Sequence, residues 1–451
     1  MRYLSILFLV CSVIFGATLN VPADYSLIQD AIDAAGWGDT VLVAPGTYTE
    51  NISFVHDPVV LISEEGPFLT CIDGKSEYAS VVVFDRQTPE TVMRGFRLIN
   101  GSGTLFYIHP HWHHFGGGIY NSIASSPEIS HCIIENNIAS DMGAGIFSGE
   151  SSSPYIHHCL ISNNTISNSS FPAGAGVCFR YSASPVLSYC VISNNTTNSY
   201  PGASGVTGVY SMGTYGCLTM INCVVADNIG EGDISGLYSS TQVQILNCIF
   251  WGNTNTQLGG PSLTVQYSDI EGAYPGLGNI DTDPVFISGL LGDYQLNPVF
   301  SPCIDSGHPG PAYNDPEDPL NPGFALWPAL GLLRNDMGVY GGPLCGEYID
   351  PSTGIEEYAS LVQAGTAFRI SPNPVHTGCI SVGLFLGSYT EVDISLFDIT
   401  GRNIKYIGLS RGFTTGDHTF SIDVTELPTG VYFCLVTLDE LSSGQVLTII
   451  N

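Results

Sequence analysis

Five cysteines, Cys132, Cys159, Cys190, Cys223 and Cys248, follow one another at steps of 27, 31, 33 and 25 residues, and their surroundings repeat with them. A near-constant period of this length marks a solenoid, whose repeats bury their apolar faces only by stacking on one another. The register extends upstream to Phe96 and downstream to Ser268. Two residues after each anchor stand Leu98, Ile134, Ile161, Ile192, Val225, Phe250 and Ile270, all apolar. Side chains alternate along a strand, so the anchor and the position two residues later share one face, read as the interior.

Further columns obey the same register. Asn137, Asn164, Asn195, Asn228 and Asn253 lie five residues after the anchor, and Asn100, Asn136, Asn163 and Asn194 four after it. Stacked Asn side chains can hydrogen-bond from coil to coil. They also tolerate the left-handed backbone of a sharp bend. Glycine-rich blocks precede the anchors: Gly116-Gly117-Gly118-Ile119, Gly143-Ala144-Gly145-Ile146 and Gly174-Ala175-Gly176-Val177, with a weaker copy at Gly208-Val209. Between block and anchor lie Ser125 to Pro127, Ser152 to Pro154 and Ala183-Ser184-Pro185, where proline can open a strand. Each coil therefore reads strand, turn, strand, bend.

The 451 residues carry 11 Lys and Arg against 41 Asp and Glu, a formal charge of −30. That excludes nucleic acid as a partner, because phosphate recognition needs clustered cations. With 44% hydrophobic residues the chain is not an acidic disordered tail, and Gly 52, Pro 27 and 12% charged residues describe a turn-rich β protein. Residues 1–18 read as a secretory signal: Arg2, then an apolar run from Leu4 to Phe15, then cleavage near Gly16 to Thr18. Cys11 lies inside that run after Val10, which argues against a lipoprotein. No later segment is long and apolar enough for a membrane helix. Of the 13 cysteines, the five anchors would stack about 4.8 Å apart as a ladder of free thiols. Disulfides between neighbours are the alternative reading, disfavoured because parallel Cβ vectors do not point at each other.

The coils resemble the right-handed parallel β-helix, or pectin-lyase-like, superfamily. Val21 to Tyr25, Gly38-Asp39-Thr40-Val41 and Pro45-Gly46-Thr47-Tyr48 are similar to its N-terminal cap and first coil. Leu27, Ile28, Ala31, Ile32 and Ala35 form a helical stripe suited to plugging the open end of the core. Asp281 to Phe286, Gly292 to Leu296, Ser301 to Gly307 and Met337 to Gly342 resemble the tail of secreted bacterial β-helix proteins. The resemblance implies an all-β parallel solenoid over residues 19–345. It implies no single function, since this fold hosts lyases, hydrolases, adhesins and inert scaffolds.

Residues 346–366 read as a polar linker, and residues 367–451 as a small β-sandwich of regularly spaced strands. Ile370 to Pro374, the turn Asp398 to Arg402 and Leu427 to Phe433 resemble the C-terminal sorting domain of type IX secretion cargo. That resemblance implies engagement of the type IX machinery, export, cleavage and attachment to the bacterial outer surface. The last strand, Gln445 to Asn451, departs from the pattern in having no Lys or Arg. Cys379 and Cys434 both fall on expected strands, and their pairing is left open.

No catalytic set is visible. The outward column after the anchors, Ile133, Leu160, Val191, Val224 and Ile249, is aliphatic between Arg97 and Asp269. Lys occurs only at Lys75 and Lys405, and Arg180 is the one basic residue between Arg97 and Arg334. Glu128, Glu135, Asp141, Glu150, Asp227, Glu231 and Asp233 do not stack into the carboxyl pair that glycoside hydrolysis needs. Binding candidates are His131, His158 and Tyr189, which precede successive anchors, Trp112, and the stripe through Ile133, Leu160 and Val191. For each, ligand contact stands against cross-coil packing or cover by a loop. His109, His111 and His113 share a face in an extended chain and could hold a divalent metal, or belong to a solvated insertion. The acidic turns at Asp281, Asp283, Asp305, Asp315, Glu317, Asp318 and Asp336 are either solvated or Ca²⁺-binding. The expectation is a non-catalytic binding or adhesive scaffold for a polysaccharide or another cell-surface macromolecule. A polysaccharide lyase or glycoside hydrolase, or a purely structural envelope protein, are the alternatives.

Overall fold

A computed structural model describes residues 16–346 except 76–77, 109–110, 170–171, 182–183, 200–204, 214–215, 290–291 and 320. It also describes residues 368–449 except 372–378, 387–389, 399–402, 414–415, 426, 429 and 439–440. The expected signal run, the linker, the Pro-Asn-Pro opening and most of the Asp398 to Arg402 turn lie outside the described residues. Two compact units divide the chain, Met1–Gly354 and Ile355–Asn451.

The first unit is a right-handed parallel β-helix. Three long parallel sheets run its length: a first of ten strands, a second of nine and a third of eight. One coil shows the pattern. Glu128–Ser130 belongs to the first sheet, Ile133–Glu135 to the second, and Ile146–Ser148 to the third. Ile138–Ala139 adds a strand to a short fourth sheet. The helix Ile28–Ala34 buries Ile28, Ala31 and Ile32 and closes the N-terminal end.

Both sharp corners use left-handed backbone, but with different residues. Between the first and second sheets stand His131, His158, Tyr189, Asn222 and Asn247, with φ from 49° to 54°. After the second sheet, Asn100, Asn136, Asn163 and Asn194 hold φ of 54° to 62°. The column beside those asparagines forms a buried ladder. Each Nδ2 donates to the next Oδ1, at 3.1 Å from Asn137 to Asn164, 3.0 Å to Asn195, 3.0 Å to Asn228 and 2.8 Å to Asn253. At Gly145 a Cβ would lie 2.5 Å from the Gly176 carbonyl oxygen, so the third sheet needs bare backbone there.

The anchor cysteines are free, buried thiols, and they do more than fill space. Each Sγ–H donates to the carbonyl two residues earlier: Cys132 to Ser130 at 3.2 Å, Cys159 to His157 at 3.2 Å, Cys190 to Ser188 at 3.3 Å, Cys223 to Ile221 at 3.4 Å and Cys248 to Leu246 at 3.3 Å. Ser268 repeats the contact with its hydroxyl, to Gln266 at 2.9 Å. A small apolar residue with a weak donor gives that carbonyl a second hydrogen bond, beside the one from a backbone N–H of the preceding coil, as from His158 to Ser188 at 3.1 Å.

The aliphatic stripe is not an exposed contact surface, and this corrects Ile133, Leu160 and Val191 as binding candidates. The segment from about Phe286 to Cys345 folds back over the second sheet. Tyr294, Leu296, Cys303, Ala329, Met337, Val339, Tyr340 and Cys345 pack with Tyr189, Val191, Val224 and Ile249, and Leu160 borders the cluster. Asp269, at the end of the stripe, is fully buried and accepts a hydrogen bond from Cys303 Sγ at 3.2 Å.

Two of the acidic-turn residues are likewise not solvated. Asp336 is buried and accepts from the Asp305 N–H at 2.7 Å and the Leu330 N–H at 2.8 Å. Asp315 is buried and accepts from the Gly342 N–H. Burial lifts the Asp315 carboxyl to about 7 and the Asp269 carboxyl to about 6. Burial, then the neighbouring Asp315, raises Asp336 well above the carboxylate range. Each group binds its proton more tightly folded than unfolded. Their stabilisation is therefore complete below about pH 4 and is lost as pH rises through 6 to 7 and beyond. The thermal midpoint of the full chain should fall between pH 5 and pH 8, and Asp315→Asn should flatten that slope. A midpoint that climbs over this range, or an unchanged slope in the variant, would contradict the assignment.

In the second unit, Phe368–Ser371, Cys379–Leu386 and Gly416–Asp423 form one antiparallel sheet. Thr390–Asp398, Asn403–Phe413, Gly430–Leu438 and Leu441–Ile449 form another. Ile380, Val382, Val392, Ile394, Leu396, Ile422, Val424 and Tyr432 make their common core.

Candidate functional site

With the second sheet covered, the outer face of the first sheet carries a set of ionisable groups, Glu128, Tyr155, His157 and Arg94. Alternation decides which side chains reach it. In Tyr155–His157, Ile156 is buried in the core, so Tyr155 and His157 point outward. In Glu128–Ser130, Ile129 points in and Glu128 out. The coils register Glu128 beside Tyr155 and Ser130 beside His157.

A hydrogen-bonded chain crosses the wall at this point. His158 Nε2 lies 2.9 Å from the Leu344 carbonyl, which can only accept, so Nε2 carries a proton. Burial first, and His131 next, pull the His158 pKa down to about 2, so the ring is neutral and its Nδ1 is a bare acceptor. His157 Nδ1, 2.9 Å away, must donate to it. The other nitrogen, His157 Nε2, faces Glu128 Oε1 at 3.3 Å. This contact is the leading cause holding the Glu128 carboxyl below the usual range. Glu128 is thereby kept charged on the surface, with its side chain 36% exposed, while His157 is nearly buried.

Tyr155 completes the site. Its ring lies on the His157 ring with centroids 4.4 Å apart and planes 22° apart, and the residue is 37% exposed. Ser188 Oγ donates to the Tyr155 hydroxyl at 3.3 Å. Arg94, in register with Ser130, acts electrostatically on Glu128. The arrangement offers a flat aromatic ring beside a fixed carboxylate acceptor. Among the described strand residues pointing outward from this sheet, Glu128 is the one carboxylate.

His131, His158 and Tyr189 do stack, with centroids 5.0 and 4.7 Å apart and planes within 5°. They are nonetheless buried, and the Leu344 N–H donates to the Tyr189 hydroxyl at 3.4 Å. The column is a corner pinned under the tail, which corrects it as a ligand platform. Trp112 is 62% exposed on a hairpin formed by Thr104–Ile108 and His111–Phe115. His113 Nδ1 meets Asp141 Oδ2 of the next coil at 3.0 Å. His109 lies outside the described residues. No group of three or more His, Cys, Asp or Glu able to hold a metal occurs among those described.

Tyr155 and His157 escaped the sequence reading, and Glu128 entered it only as an unpaired carboxylate, although the signal is present. They stand one and three residues after Pro127 and Pro154, the outward positions of strands those prolines open. That Glu128 and His157 meet on a diagonal between coils is visible only with the register in hand.

Residues 94–270 match the family described as right handed beta helix region. Residues 369–449 match the secretion system C-terminal sorting domain. Comparison with curated proteins finds no match. Solved structures similar to the chain include a pectin methylesterase in complex with a hexasaccharide, at 11% identity and TM-score 0.37, covering 60% of this chain and 94% of that one. The pectin methylesterase from Aspergillus niger follows at 14% identity and TM-score 0.30, covering 58% and 91%. A tailspike protein of bacteriophage CBA120 aligns at 11% identity and TM-score 0.14, covering 93% and 64%. At these scores no argument about activity follows.

Proposed function

We propose that this protein, a right-handed β-helix secreted by way of its type IX sorting domain, is a non-catalytic binding scaffold for carbohydrate at the cell surface. The observation that carries the reading is the Tyr155 ring beside the charged Glu128 on the open first sheet. An aromatic ring stacks on the apolar face of a pyranose, and a carboxylate accepts from its hydroxyls. A glycosidase would need a second carboxyl flanking the bond.

The Glu128–His157 contact supports a second reading, a glycan-cleaving enzyme, because it holds one proton between a carboxylate and an imidazole. A screen of the full chain against neutral and acidic polysaccharides, with and without Ca²⁺, separates the two. Retention without new reducing ends or unsaturated product supports the scaffold. Tyr155→Ala and Glu128→Gln should each weaken retention about tenfold, a loss of ~1.4 kcal/mol. Product release that Glu128→Gln abolishes supports the enzyme, and silence throughout supports a structural envelope protein.

A further inference from the structure

The third sheet is finished at one end and left open at the other. At the N-terminal end one side chain closes the edge of the strand Ile52–Phe54. The Ser53 N–H donates to Gln29 Oε1 at 2.7 Å, and Gln29 Nε2 donates to the Ser53 carbonyl at 3.1 Å. At the C-terminal end the chain after Ile270 closes the other two long sheets. Asn279 Nδ2 donates to the Val265 carbonyl of the first sheet at 3.1 Å, and the Ile270 N–H of the second sheet donates to the Ile280 carbonyl at 3.0 Å. The last strand of the third sheet, Thr256–Gly259, is followed by no strand among the described residues. Folds ordinarily cover such an edge, because its unpaired backbone groups are a template for another chain.

Register identifies the groups left unpaired. Ile119, Ile146, Val177, Val209, Leu237 and Leu258 share one column of the sheet. In that column the N–H donates to the following coil: Ile119 to Gly145 at 2.9 Å, Ile146 to Gly176 at 3.0 Å and Val177 to Gly208 at 3.0 Å. A residue in a parallel ladder turns its N–H and its C=O toward the same neighbour. Leu258 therefore holds both toward the open end, where no coil follows. Its side chain is 7% exposed, against 0% for the other five in the column, so the core also ends uncovered there. The edge looks into a cleft of about 720 Å³ whose lining includes Leu258, Ile270, Tyr274, Glu231, Asp233 and Glu271. Leu258 and Ile270 belong to the core, and Tyr274 packs against it. The three acidic residues are exposed. Glu271 Oε2 accepts from the Gly252 N–H at 2.8 Å and from Gln257 Nε2 at 2.9 Å, which fixes that carboxylate on the wall.

We infer that this cleft takes an extended cationic segment of a partner protein, which adds to the eight strands of the third sheet as a further one. The segment's backbone pairs with the Leu258 N–H and C=O. One apolar side chain covers Leu258 and Ile270, and the lysines or arginines on either side of it face Glu231, Asp233 and Glu271. Charge selects this occupant over a second copy of the chain, which would bring a formal charge of −30 to the same carboxylates. The site uses none of the first-sheet residues and stands independently of the carbohydrate reading.

The test uses the full chain and a fluorescent peptide of alternating Lys and Val. A peptide of alternating Glu and Val is the charge control, and the basic peptide methylated at every backbone nitrogen is the pairing control. Fluorescence anisotropy should show saturable binding of the basic peptide alone, and hydrogen exchange across Thr256–Gly259 should slow when it binds. The double variant Glu231→Gln with Asp233→Asn, altered only at exposed side chains, should weaken binding about tenfold. Backbone methylation of the peptide should weaken it by at least about tenfold with the protein unchanged. Four results overturn the inference: the basic peptide does not bind, the acidic peptide binds as tightly, the methylated peptide binds as tightly, or exchange across Thr256–Gly259 is unaffected. A dimer in sedimentation that excludes the basic peptide would overturn it too, by giving the edge to a second copy.

Discussion

Replacing Asn195 with Leu should destabilise the solenoid by about 3–5 kcal/mol, because a buried polar group that loses its partner costs ~1–3 kcal/mol. Asn195 Oδ1 accepts from the Asn164 backbone N–H and from Asn164 Nδ2, both at 3.0 Å. Its Nδ2 donates to the Ile161 carbonyl and to Asn228 Oδ1, both at 3.0 Å. A leucine of similar size fills the volume and satisfies none of these groups. The cost therefore isolates hydrogen bonding from packing. Urea unfolding of the full chain should show the shift, while Asn198→Ala at an exposed position should stay within about 0.5 kcal/mol of the parent. A shift below about 1 kcal/mol for Asn195→Leu would mean that the ladder can be rebuilt without its central member.

Removing the Tyr294 side chain should release the tail before the solenoid unfolds. Tyr294 is buried, donates its hydroxyl to Asp227 Oδ2 at 3.0 Å and accepts from Asn194 Nδ2 at 3.0 Å. Its ring meets Phe286 edge-on at 5.4 Å. Truncating a buried aromatic residue costs ~3–5 kcal/mol. Here that cost falls on a segment held by one apolar cluster and by hydrogen bonds such as those from Asn222 Nδ2 to the Asp336, Gly338 and Gly341 carbonyls, while the coils beneath keep their own ladders. Tyr294→Ala should therefore bind an apolar dye strongly at temperatures where the parent does not, since Leu160, Val191, Val224 and Ile249 become accessible. Thermal scans should separate into two transitions. One unshifted transition without dye binding would show that the cover does not depend on this contact.

The two variants also mark what was legible in the sequence. The anchors and the Asn column are local, repeating features, and their register survives into the structure residue by residue. The corner residues were equally visible, because Asn, His and Tyr recur at one position per coil. Burial was not legible there. His158 and Leu344 are 186 residues apart, and only the return of the tail converts a surface column into an interior one. The aliphatic stripe left ligand contact and loop cover both open for the same reason, and the tail decides for cover. The cysteines were read as small hydrophobes, whereas Ser268, in the same column, points to the donor role they share. In the His-rich loop, spacing suggested a ligand set. Pairing sets Trp112 against Tyr107, and His113 meets Asp141. Tyr107 is only five residues from Trp112, but the hairpin that pairs them was not recognised, and Asp141 lies on the next coil.

Hydrogen–deuterium exchange of the full chain, with and without a saturating polysaccharide from the retention screen, tests the central claim most directly. The first-sheet site predicts slower exchange across Glu128–Ser130, Tyr155–His157 and Val186–Ser188, with the tail over the second sheet unchanged. Protection confined to the tail or absent everywhere, although the polysaccharide is retained, would contradict it.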